Sequence, residues 1–455
     1  METAYDILIT GSEISGLISA ALLAKKGVRV AIVGDAVKPV SYEKNGYIFN
    51  ERPFPITGLH GGPLGEVIDE IGLSKGVFRD AAISYQVVLP DERIDIYEGT
   101  GLFHEELRRR FPRNIDKVSA FYSQTSDLSG KIDQIMALNP FSFRLLLPSG
   151  IIRGKKSITD AIERIDPDQR FQSFIRAQLS SFSFMPGGVS LIAASSILES
   201  SRKGIYCMEG GSDALRILLM KKIRTLGGDI IEASVKDISR NGNRWLLRTE
   251  DGAFSGRAVI GNVDAMTFCN LFLEGGKKYL RKAERIEKRF YPLTINIGVK
   301  EDGIPAGMAE NVVMLRDYKK ECHSDNLLFM QISHPANGRR SMSITCKVSK
   351  EESSRKERLR EITEKMLEGV EWLCPFIDIH TEALDIRSPE SGWDGIYTTT
   401  LSQRMGVGVL PPEFVRGEIL LAGPEVFPAL GFDGLVYSGR MAAAAVLQGL
   451  EKGKA

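Results

Sequence analysis

The residues with the most specific chemical meaning form a short run near the start of the chain, Gly11-Ser12-Glu13-Ile14-Ser15-Gly16. A turn that binds a dinucleotide uses three glycines: the first permits the tight turn, the second lets the backbone reach the pyrophosphate, and the third lets the helix pack on the strand. The first and third are present here, and Glu13 takes the middle position. A carboxylate there can satisfy the amides that open a helix and would repel a pyrophosphate. The run therefore predicts a dinucleotide-type turn with an altered phosphate contact.

A second position belongs to the same chemistry, because the next strand of such a fold should end in an acid that accepts hydrogen bonds from ribose hydroxyls. That position is Gly34, and Asp35 follows it. Asp35 can substitute if the strand end is shifted, but its side chain would then point in a different direction.

The elements that must position these residues are readable from local patterns. Residues 5–10 are a short apolar run typical of a buried parallel strand, residues 17–26 are rich in Ala and Leu, and residues 28–33 are a second apolar run. A strand–helix–strand unit of about 30 residues is the size of a right-handed crossover. The altered turn is therefore predicted to join a strand to a helix.

The rest of the chain contains two further pieces of this kind. One opens at Gly210-Gly211, continues as a helix at residues 214–226 and includes short strands at 229–231, 235–238, 245–249 and 258–260. The other is a strand at 418–422, a loop rich in Gly and Pro, and a helix at 435–450. Between the pieces, residues 64–201 are predicted to be helical with proline breaks, and residues 291–348 have the spacing of antiparallel strands before an amphipathic helix at 355–373.

We therefore predict an α/β protein with a Rossmann-like dinucleotide-binding domain assembled from three chain segments, 1–62, 205–270 and 413–455. The substrate domain is predicted to consist of a helical insert at 63–204 and an antiparallel sheet at 271–412. At 455 residues the chain is long enough for two domains.

With this order of elements, the chain resembles the FAD-dependent amine oxidase superfamily, in particular its phytoene desaturase and carotenoid isomerase branch. The resemblance rests on the N-terminal unit, on residues 210–215 and 227–230, on Gly261-Asn262-Val263-Asp264, which is similar to the family's S-N-A-D, and on residues 421–435, which are similar to its flavin loop. The chain departs from the family at Glu13 and Gly34, lacks the G-G-R turn after the second strand, and has Val426 and Phe427 in place of the loop's Thr and His.

The resemblance implies FAD as the cofactor and implies where it lies. Gly11 to Gly16 would face the pyrophosphate and Gly34-Asp35 the adenosine ribose. The backbone of Val235 would meet the adenine, with Gly261 nearby. The remaining contacts fall in the C-terminal loop, with Gly423, Pro424 and Glu425 at the ribityl-phosphate and Gly431, Phe432, Asp433 and Gly434 beneath the isoalloxazine.

Two acids in this loop have alternative interpretations. Asp433 is either an acid or base beside the flavin or a helix N-cap. Glu425 either binds ribityl hydroxyls or lies in a solvated loop. No catalytic residue is assigned.

Three functions follow from these patterns. The first is an FAD-dependent oxidoreductase of the desaturase, saturase or isomerase type that acts on an apolar, isoprenoid-like substrate. The alternative is a flavin-free homologue that binds a lipid or a protein partner, and it is favoured by Glu13, Gly34 and the missing G-G-R turn. A nicotinamide-only dehydrogenase is a weaker third interpretation, because the C-terminal loop resembles a flavin site.

Composition excludes several other classes. Lys and Arg number 59 against 58 Asp and Glu, and this balance argues against nucleic acid as a partner. Five dispersed cysteines without a C-x-x-C pair suit reduced thiols, and the cysteines and five histidines lack metal-ligand spacing, so no metal site is predicted. The start of the chain has no basic run and no stretch approaches about 18–20 apolar residues. We predict a cytoplasmic protein and leave peripheral contact with a membrane open.

Overall fold

A computed structural model describes residues 2–34, 41–50, 53–79, 81, 83–138, 157–165, 169–185, 189–208, 213–273, 276–284, 286–387, 396–399 and 410–452. Asp35 and the Gly210 to Ser212 run, both used in the sequence analysis, lie outside these residues.

The described strands are β1 (Glu2–Ala4), β2 (Ile7–Thr10), β3 (Val30–Gly34), β4 (Ser41–Lys44), β5 (Tyr47–Asn50), β6 (Phe78–Arg79), β7 (Tyr85–Val88), β8 (Arg93–Ile96), β9 (Cys207–Met208), β10 (Asp229–Glu232), β11 (Asp237–Asn241), β12 (Arg244–Arg248), β13 (Ala253–Gly256), β14 (Ala258–Gly261), β15 (Ile286–Lys300), β16 (Asn311–Leu315), β17 (Leu327–Ile332), β18 (Arg339–Ser349), β19 (Thr381–Arg387), β20 (Ile396–Thr399), β21 (Glu413–Val415) and β22 (Ile419–Leu421).

The described α-helices are α1 (Ile14–Lys25), α2 (Pro63–Ile71), α3 (Thr100–Arg110), α4 (Ile115–Leu138), α5 (Ile158–Ile165), α6 (Gln169–Phe182), α7 (Leu191–Arg202), α8 (Asp213–Thr225), α9 (Ala265–Asn270), α10 (Lys277–Ala283), α11 (Lys350–Ser353), α12 (Lys356–Leu373), α13 (Ile377–His380) and α14 (Gly431–Lys452). None of these described helices combines the length and the apolar character needed to cross a bilayer.

The central layer is a six-stranded sheet in the order β10-β3-β2-β14-β22-β21. Neighbouring strands are parallel except for β21 and β22. All four residues of β2 are buried, as expected for an apolar run covered on both faces. The strands come from the start, the middle and the end of the chain, so the predicted Rossmann-like domain built from three segments is confirmed.

Helices α1 and α14 pack closely over this sheet. The Ser19 hydroxyl of α1 donates to the Gly439 carbonyl of α14 at 2.8 Å. A β-carbon on Gly439 would lie 2.5 Å from the Ser15 carbonyl oxygen, so the helices can approach this closely only with glycine there. This contact brings the two chain ends together.

The second large layer is an eight-stranded sheet with the order β19-β15-β18-β17-β16-β7-β8, in which β20 also pairs with β15. The predicted strands at 291–348 form its centre, and α12 covers one face with Ile362, Met366 and Val370. The β17–β18 hairpin closes at Asn337 and Gly338, whose φ angles of 53° and 71° are those of a two-residue type I′ turn.

The segment 64–201 contains strands as well as helices. Residues 64–201 were predicted to be helical, but β6, β7 and β8 lie within them. β7 even joins the eight-stranded sheet, parallel to β16. These strands have only two to four residues each, which is too short for an alternating pattern to stand out beside long helices.

Candidate dinucleotide-binding edge

The first glycine of the N-terminal run shapes the turn that connects β2 to α1. The Gly11 amide donates to the Val33 carbonyl at 3.0 Å, and the Asn262 amide donates to the Thr10 carbonyl at 2.7 Å. Gly11 has a φ of +89°, and a β-carbon there would lie 2.4 Å from the Asn262 carbonyl oxygen. Both facts require glycine at this position.

Asn262 is the residue that fixes the turn, and the sequence analysis noted it only as part of a resemblance. Its Oδ1 accepts from the Glu13 amide at 2.7 Å, and its Nδ2 donates to the Ala422 carbonyl at 2.7 Å. A β-carbon on Gly16 would lie 2.3 Å from the same Oδ1. One buried side chain therefore joins the three chain segments, and the third glycine makes room for it.

Glu13 does not have the contact that the sequence predicted. It is the N-cap residue of α1, with extended backbone angles, but its side chain makes no capping hydrogen bond. Its Oε1 instead lies 3.4 Å from Nη2 of Arg216 in α8, whose side chain is only 4% exposed. The expectation that this carboxylate satisfies the helix amides is therefore wrong, because a buried guanidinium competes for it.

Arg216 belongs to a larger polar network beside the turn. Its Nη1 lies 3.2 Å from Oδ1 of Asp213. Oδ2 of Asp213 accepts from the amide and the hydroxyl of Ser41, both at 2.8 Å. Two carboxylates, those of Glu13 and Asp213, thus share one guanidinium. An incoming phosphate would add further negative charge to this group.

Two hydroxyls at the turn differ from this network, because they are buried and have no hydrogen-bond partner among the described residues. Thr10 ends β2 and Ser15 lies in the first turn of α1, and each is 1% exposed. Neither side-chain oxygen has a hydrogen-bond partner among the described residues. Since a buried unpaired hydroxyl costs about 1–3 kcal/mol, such atoms indicate a missing partner. Ser12, between them, is also buried.

The predicted ribose position is Gly34, the last residue of β3. A β-carbon there would lie 3.0 Å from the Cα of Gly11, so any side chain would require the turn to shift. Gly34 therefore offers no side-chain acceptor for a ribose. Asp35 lies outside the described residues.

Val235 and Gly261, predicted near the adenine, lie in different surroundings. Val235 is partly buried and packs against the large hydrophobic core. Gly261 ends β14 and pairs with Thr10 on one side and Leu421 on the other. A β-carbon on it would lie 2.5 Å from the Phe268 ring, so close packing requires this glycine.

The C-terminal loop begins directly after β22, at the same sheet edge. The Gly423 amide donates to the Ser438 hydroxyl at 2.9 Å, and Pro424 is buried in the turn that follows. Glu425 is 2% exposed, and its Oε1 accepts from the Ala265 amide at 3.2 Å, at the start of α9. The interpretation of Glu425 as a residue of a solvated loop is therefore wrong. Its contact with a ribityl group stays a prediction.

The start of α14 is packed against the end of α6. Gly431 has a φ of +56°, and a β-carbon there would lie 2.0 Å from the Phe182 carbonyl oxygen. A β-carbon on Gly434 would lie 2.3 Å from the Phe427 carbonyl oxygen, and Phe432 is buried. Both glycines are thus required by close backbone contacts, whatever ligand the loop holds.

Asp433 lies inside this helix rather than at its N-cap. Helix α14 begins at Gly431, four residues earlier than predicted, and Asp433 falls in its first turn. The carboxyl is 4% exposed, and its Oδ1 accepts from the Thr57 hydroxyl at 2.8 Å. Burial raises the pKa of Asp433 to about 6, although the hydrogen bond from Thr57 partly offsets the effect. The N-cap interpretation is therefore wrong, and the residue is a buried acid with a raised pKa.

A cavity of 340 Å³ lies on the other side of this loop, between β5, β9 and the β17–β18 hairpin. Phe54 lines it and stacks on Phe184, with ring centroids 4.7 Å apart. The tip of the Phe54 ring also lies 3.8 Å from the position of a β-carbon on Gly431. The cavity is therefore one aromatic ring away from the start of α14. No local sequence pattern predicts this cavity, because its walls come from distant chain segments.

The structure thus brings most of the predicted residues to one edge of the six-stranded sheet. Four parts of the predicted site meet there: the turn at residues 11–16, Gly34, Gly261 and Gly423. The β2–β3 and β14–β22 pairings and the side chain of Asn262 hold them together. Gly431 to Gly434 open the helix that packs on α1. Val235 lies apart from them, in the segment between β10 and β11.

Comparisons with known proteins agree with this architecture. No family model matches the chain. The chain is 22% identical over 280 residues to the inactive all-trans-retinol 13,14-reductase of Danio rerio, a match that covers 57% of this chain and 45% of that protein. The chain therefore matches less than half the length of this curated relative.

Solved structures match over nearly the whole chain. A putrescine oxidase redesigned in its cofactor binding superposes with a TM-score of 0.70 at 16% identity, covering 98% of this chain and 100% of that one. An oxidoreductase from Methanosarcina mazei gives 0.68 at 16% identity, with coverage of 98% and 100%. Cyclohexylamine oxidase from Brevibacterium oxydans gives 0.62 at 12% identity, with coverage of 98% and 99%. The chain has the fold of these oxidases and oxidoreductases, and they do not single out the phytoene desaturase branch.

Proposed function

We propose that the protein is an FAD-dependent oxidoreductase of the desaturase, saturase or isomerase type, acting on a substrate with an apolar, isoprenoid-like body. The observation that carries the proposal is the buried Ser15 hydroxyl, which lacks a hydrogen-bond partner among the described residues. It lies in the first turn of α1, at the sheet edge where this fold binds a diphosphate.

The donors at this edge fit an anionic group. The Glu13 side chain does not cap the first-turn amides of α1, and the Ser15 hydroxyl lacks an acceptor among the described residues. Gly11 and Gly16 keep the backbone close to the strand ends. In this proposal Ser15 and the α1 amides hold the diphosphate, residues 423–425 hold the ribityl end, and residues 431–434 lie beneath the isoalloxazine.

FAD, when bound, supplies the hydride transfer, so no triad of side chains is needed for the chemistry. The chain's own contribution is to orient the reactants and to exclude water. Asp433, in the first turn of α14, is buried beside Thr57 and holds its proton up to a pH of about 6. We propose that its charge state affects the reaction at the start of this helix.

A second candidate function is a flavin-free protein of the same fold that binds a lipid or a protein partner. The observation that favours it is the pairing of Glu13 with Arg216, because a carboxylate then occupies the cation that a diphosphate would use. Gly34 also favours the flavin-free function, because it offers no side-chain acceptor for a ribose. The name of the curated relative describes that protein as inactive in retinol reduction.

An absorbance spectrum of freshly purified protein, followed by titration with FAD, separates the two functions. The oxidoreductase predicts flavin bands in the wild type, or their appearance as FAD is taken up. The flavin-free protein predicts a colourless wild type that ignores FAD.

The Glu13→Gly and Glu13→Gln variants identify the cause of a negative result. Glu13→Gln keeps the size of the side chain and removes its charge, so it is the matched control for Glu13→Gly. FAD uptake gained in both variants but not in the wild type would assign the block to charge and favour the flavin-free function. Lack of uptake in all three would contradict the proposed diphosphate site.

A further inference from the structure

The 340 Å³ cavity beside Phe54 has a composition that the functions considered so far do not explain. Its volume is at the lower end of the roughly 300–1,000 Å³ that pockets for small molecules occupy. One wall is apolar and includes Phe54, Ile56, Tyr206 and Ile332, the last three of them buried. An apolar wall of this kind accommodates the body of an organic ligand.

The charged residues of the cavity lining are mostly cationic. The described lining residues include three guanidinium groups, those of Arg79, Arg339 and Arg340, and one carboxylate, that of Glu310, an excess of two positive charges without counting His334. Clefts lined by one sign of charge concentrate ligands of the opposite sign. The cavity therefore favours an anion over a cation.

The single carboxylate is already engaged by neighbouring residues. Oε1 of Glu310 lies 3.4 Å from Nη2 of Arg340 and 2.9 Å from Nδ1 of His334. Nε of Arg340 donates to the Ser333 carbonyl at 2.7 Å, which holds this guanidinium against the hairpin. Glu310 is consequently a poor partner for a positively charged ligand, because its charge is shared within the wall.

The two remaining arginines, Arg79 and Arg339, line the cavity and are exposed to solvent, so they form its rim. Arg339 follows the Asn337-Gly338 turn and stands 5.5 Å from the Tyr47 ring centroid, while Arg79 comes from β6, which pairs with β9. Nε of Arg339 lies 2.9 Å from Oε2 of Glu382, which is not part of the lining. This pair is open to water, so solvent screening weakens its competition with a ligand. Guanidinium forks of this kind match the geometry of a carboxylate.

We infer that this cavity binds a small organic carboxylate with an apolar body. Arg79 and Arg339 bind the carboxylate at the rim, and the body lies against Phe54 and Ile56. The inference names the substrate class of the proposed oxidoreductase and rests on that proposal for turnover, whereas binding itself requires no flavin. An ammonium ligand of the same size would be repelled by the excess positive charge of the cavity lining.

Isothermal titration at low ionic strength with three probes that share a skeleton tests the inference: 4-phenylbutyrate, 4-phenylbutanol and 4-phenylbutylamine. We expect 4-phenylbutyrate to bind about tenfold or more tightly than the amine, with the alcohol between them, because charge-assisted hydrogen bonds reach this strength. Added salt should weaken 4-phenylbutyrate binding selectively. Equal binding of all three probes, no binding of any of them, or a preference for the amine would overturn the inference.

A pair of double variants locates the site. Arg79→Gln with Arg339→Gln removes the rim charges, and we expect it to weaken 4-phenylbutyrate binding about tenfold or more. Arg289→Gln with Arg360→Gln removes the same net charge from residues outside the lining, with side chains 58% and 83% exposed, and should leave binding within about twofold. If the two double variants weaken binding equally, the cavity is not the site.

Repeating the titration with and without added FAD separates this inference from the proposed function. Carboxylate binding in a protein that never takes up FAD would contradict the oxidoreductase and leave the cavity's ligand class intact. FAD uptake without carboxylate binding would agree with the oxidoreductase and contradict the ligand class inferred for the cavity.

Discussion

At the scale of single residues, Arg216 balances two carboxylates that would otherwise repel each other. Its side chain is 4% exposed and lies between Glu13 and Asp213. Removing the cation from such a site leaves buried charge without compensation. We predict that Arg216→Gln lowers the free energy of unfolding by about 2–4 kcal/mol, measured by urea denaturation. Arg360→Gln, on the exposed face of α12, should change it by less than about 0.5 kcal/mol. Equal effects of the two changes would contradict the balancing role.

Asp433 makes stability depend on pH in a defined direction. Burial raises its folded-state pKa from 3.8 to about 6, so the native protein binds more protons than the unfolded chain between these values, and stability falls as pH rises through them. A shift of this size costs about 3 kcal/mol at pH 7. We predict that Asp433→Asn raises the thermal midpoint at pH 7 and that its advantage disappears by about pH 4. An effect of the same size at both pH values would show that Asp433 is not a buried titrating acid.

At the scale of elements, the junction between α1 and β14 depends on a close contact. A β-carbon at residue 16 would lie 2.3 Å from Oδ1 of Asn262. This oxygen also accepts from the Glu13 amide, and Nδ2 of the same side chain donates to the Ala422 carbonyl directly after β22. We predict that Gly16→Ala destabilises the protein by about 1–3 kcal/mol, because the buried amide must move. Gly130→Ala is the matched control, since no atom lies near its β position inside α4, and it should stabilise by about 0.5–1 kcal/mol. A Gly16→Ala protein as stable as wild type would contradict the contact.

The sequence predicts some of the helices and strands well and others poorly. The strand–turn–helix unit, the strands at 312–332 and the helix at 355–373 were predictable, because long periodic runs face one core. The start of α14 was placed four residues late, since its glycines lower helix propensity and only packing against Phe182 stabilises them there. That error is why Asp433 was interpreted as an N-cap. Strands β6 to β8 were missed for lack of length.

Contacts between distant residues explain why the candidate site was harder to predict. The glycine run indicated a turn, but no local pattern could pair Glu13 with Arg216, about two hundred residues further along the chain. The same holds for Asn262, which joins three segments, and for the cavity beside Phe54. Such partners are set by tertiary packing. A polar side chain directly after a buried strand, as at Asn262, is the one signal that could have identified any of them.

At the scale of the whole molecule, the two large sheets contribute different parts of the candidate site. The six-stranded sheet carries the turn between β2 and α1, and the eight-stranded sheet contributes the hairpin wall of the cavity. The start of α14 and the Phe54–Phe184 pair lie between them. A cofactor at one edge and a ligand in the cavity would therefore approach each other at this boundary.

We propose that the turn between β2 and α1 holds the diphosphate of FAD through Ser15, whose buried hydroxyl lacks a partner among the described residues. The most direct test of this claim is a fluorescence titration of FAD into wild type and Ser15→Ala side by side, with removal of unbound cofactor before each spectrum. We predict saturable uptake by the wild type and an affinity lowered about tenfold in Ser15→Ala, the value of one charge-assisted hydrogen bond. A wild type that takes up no FAD, or a variant that binds it equally well, would contradict the claim.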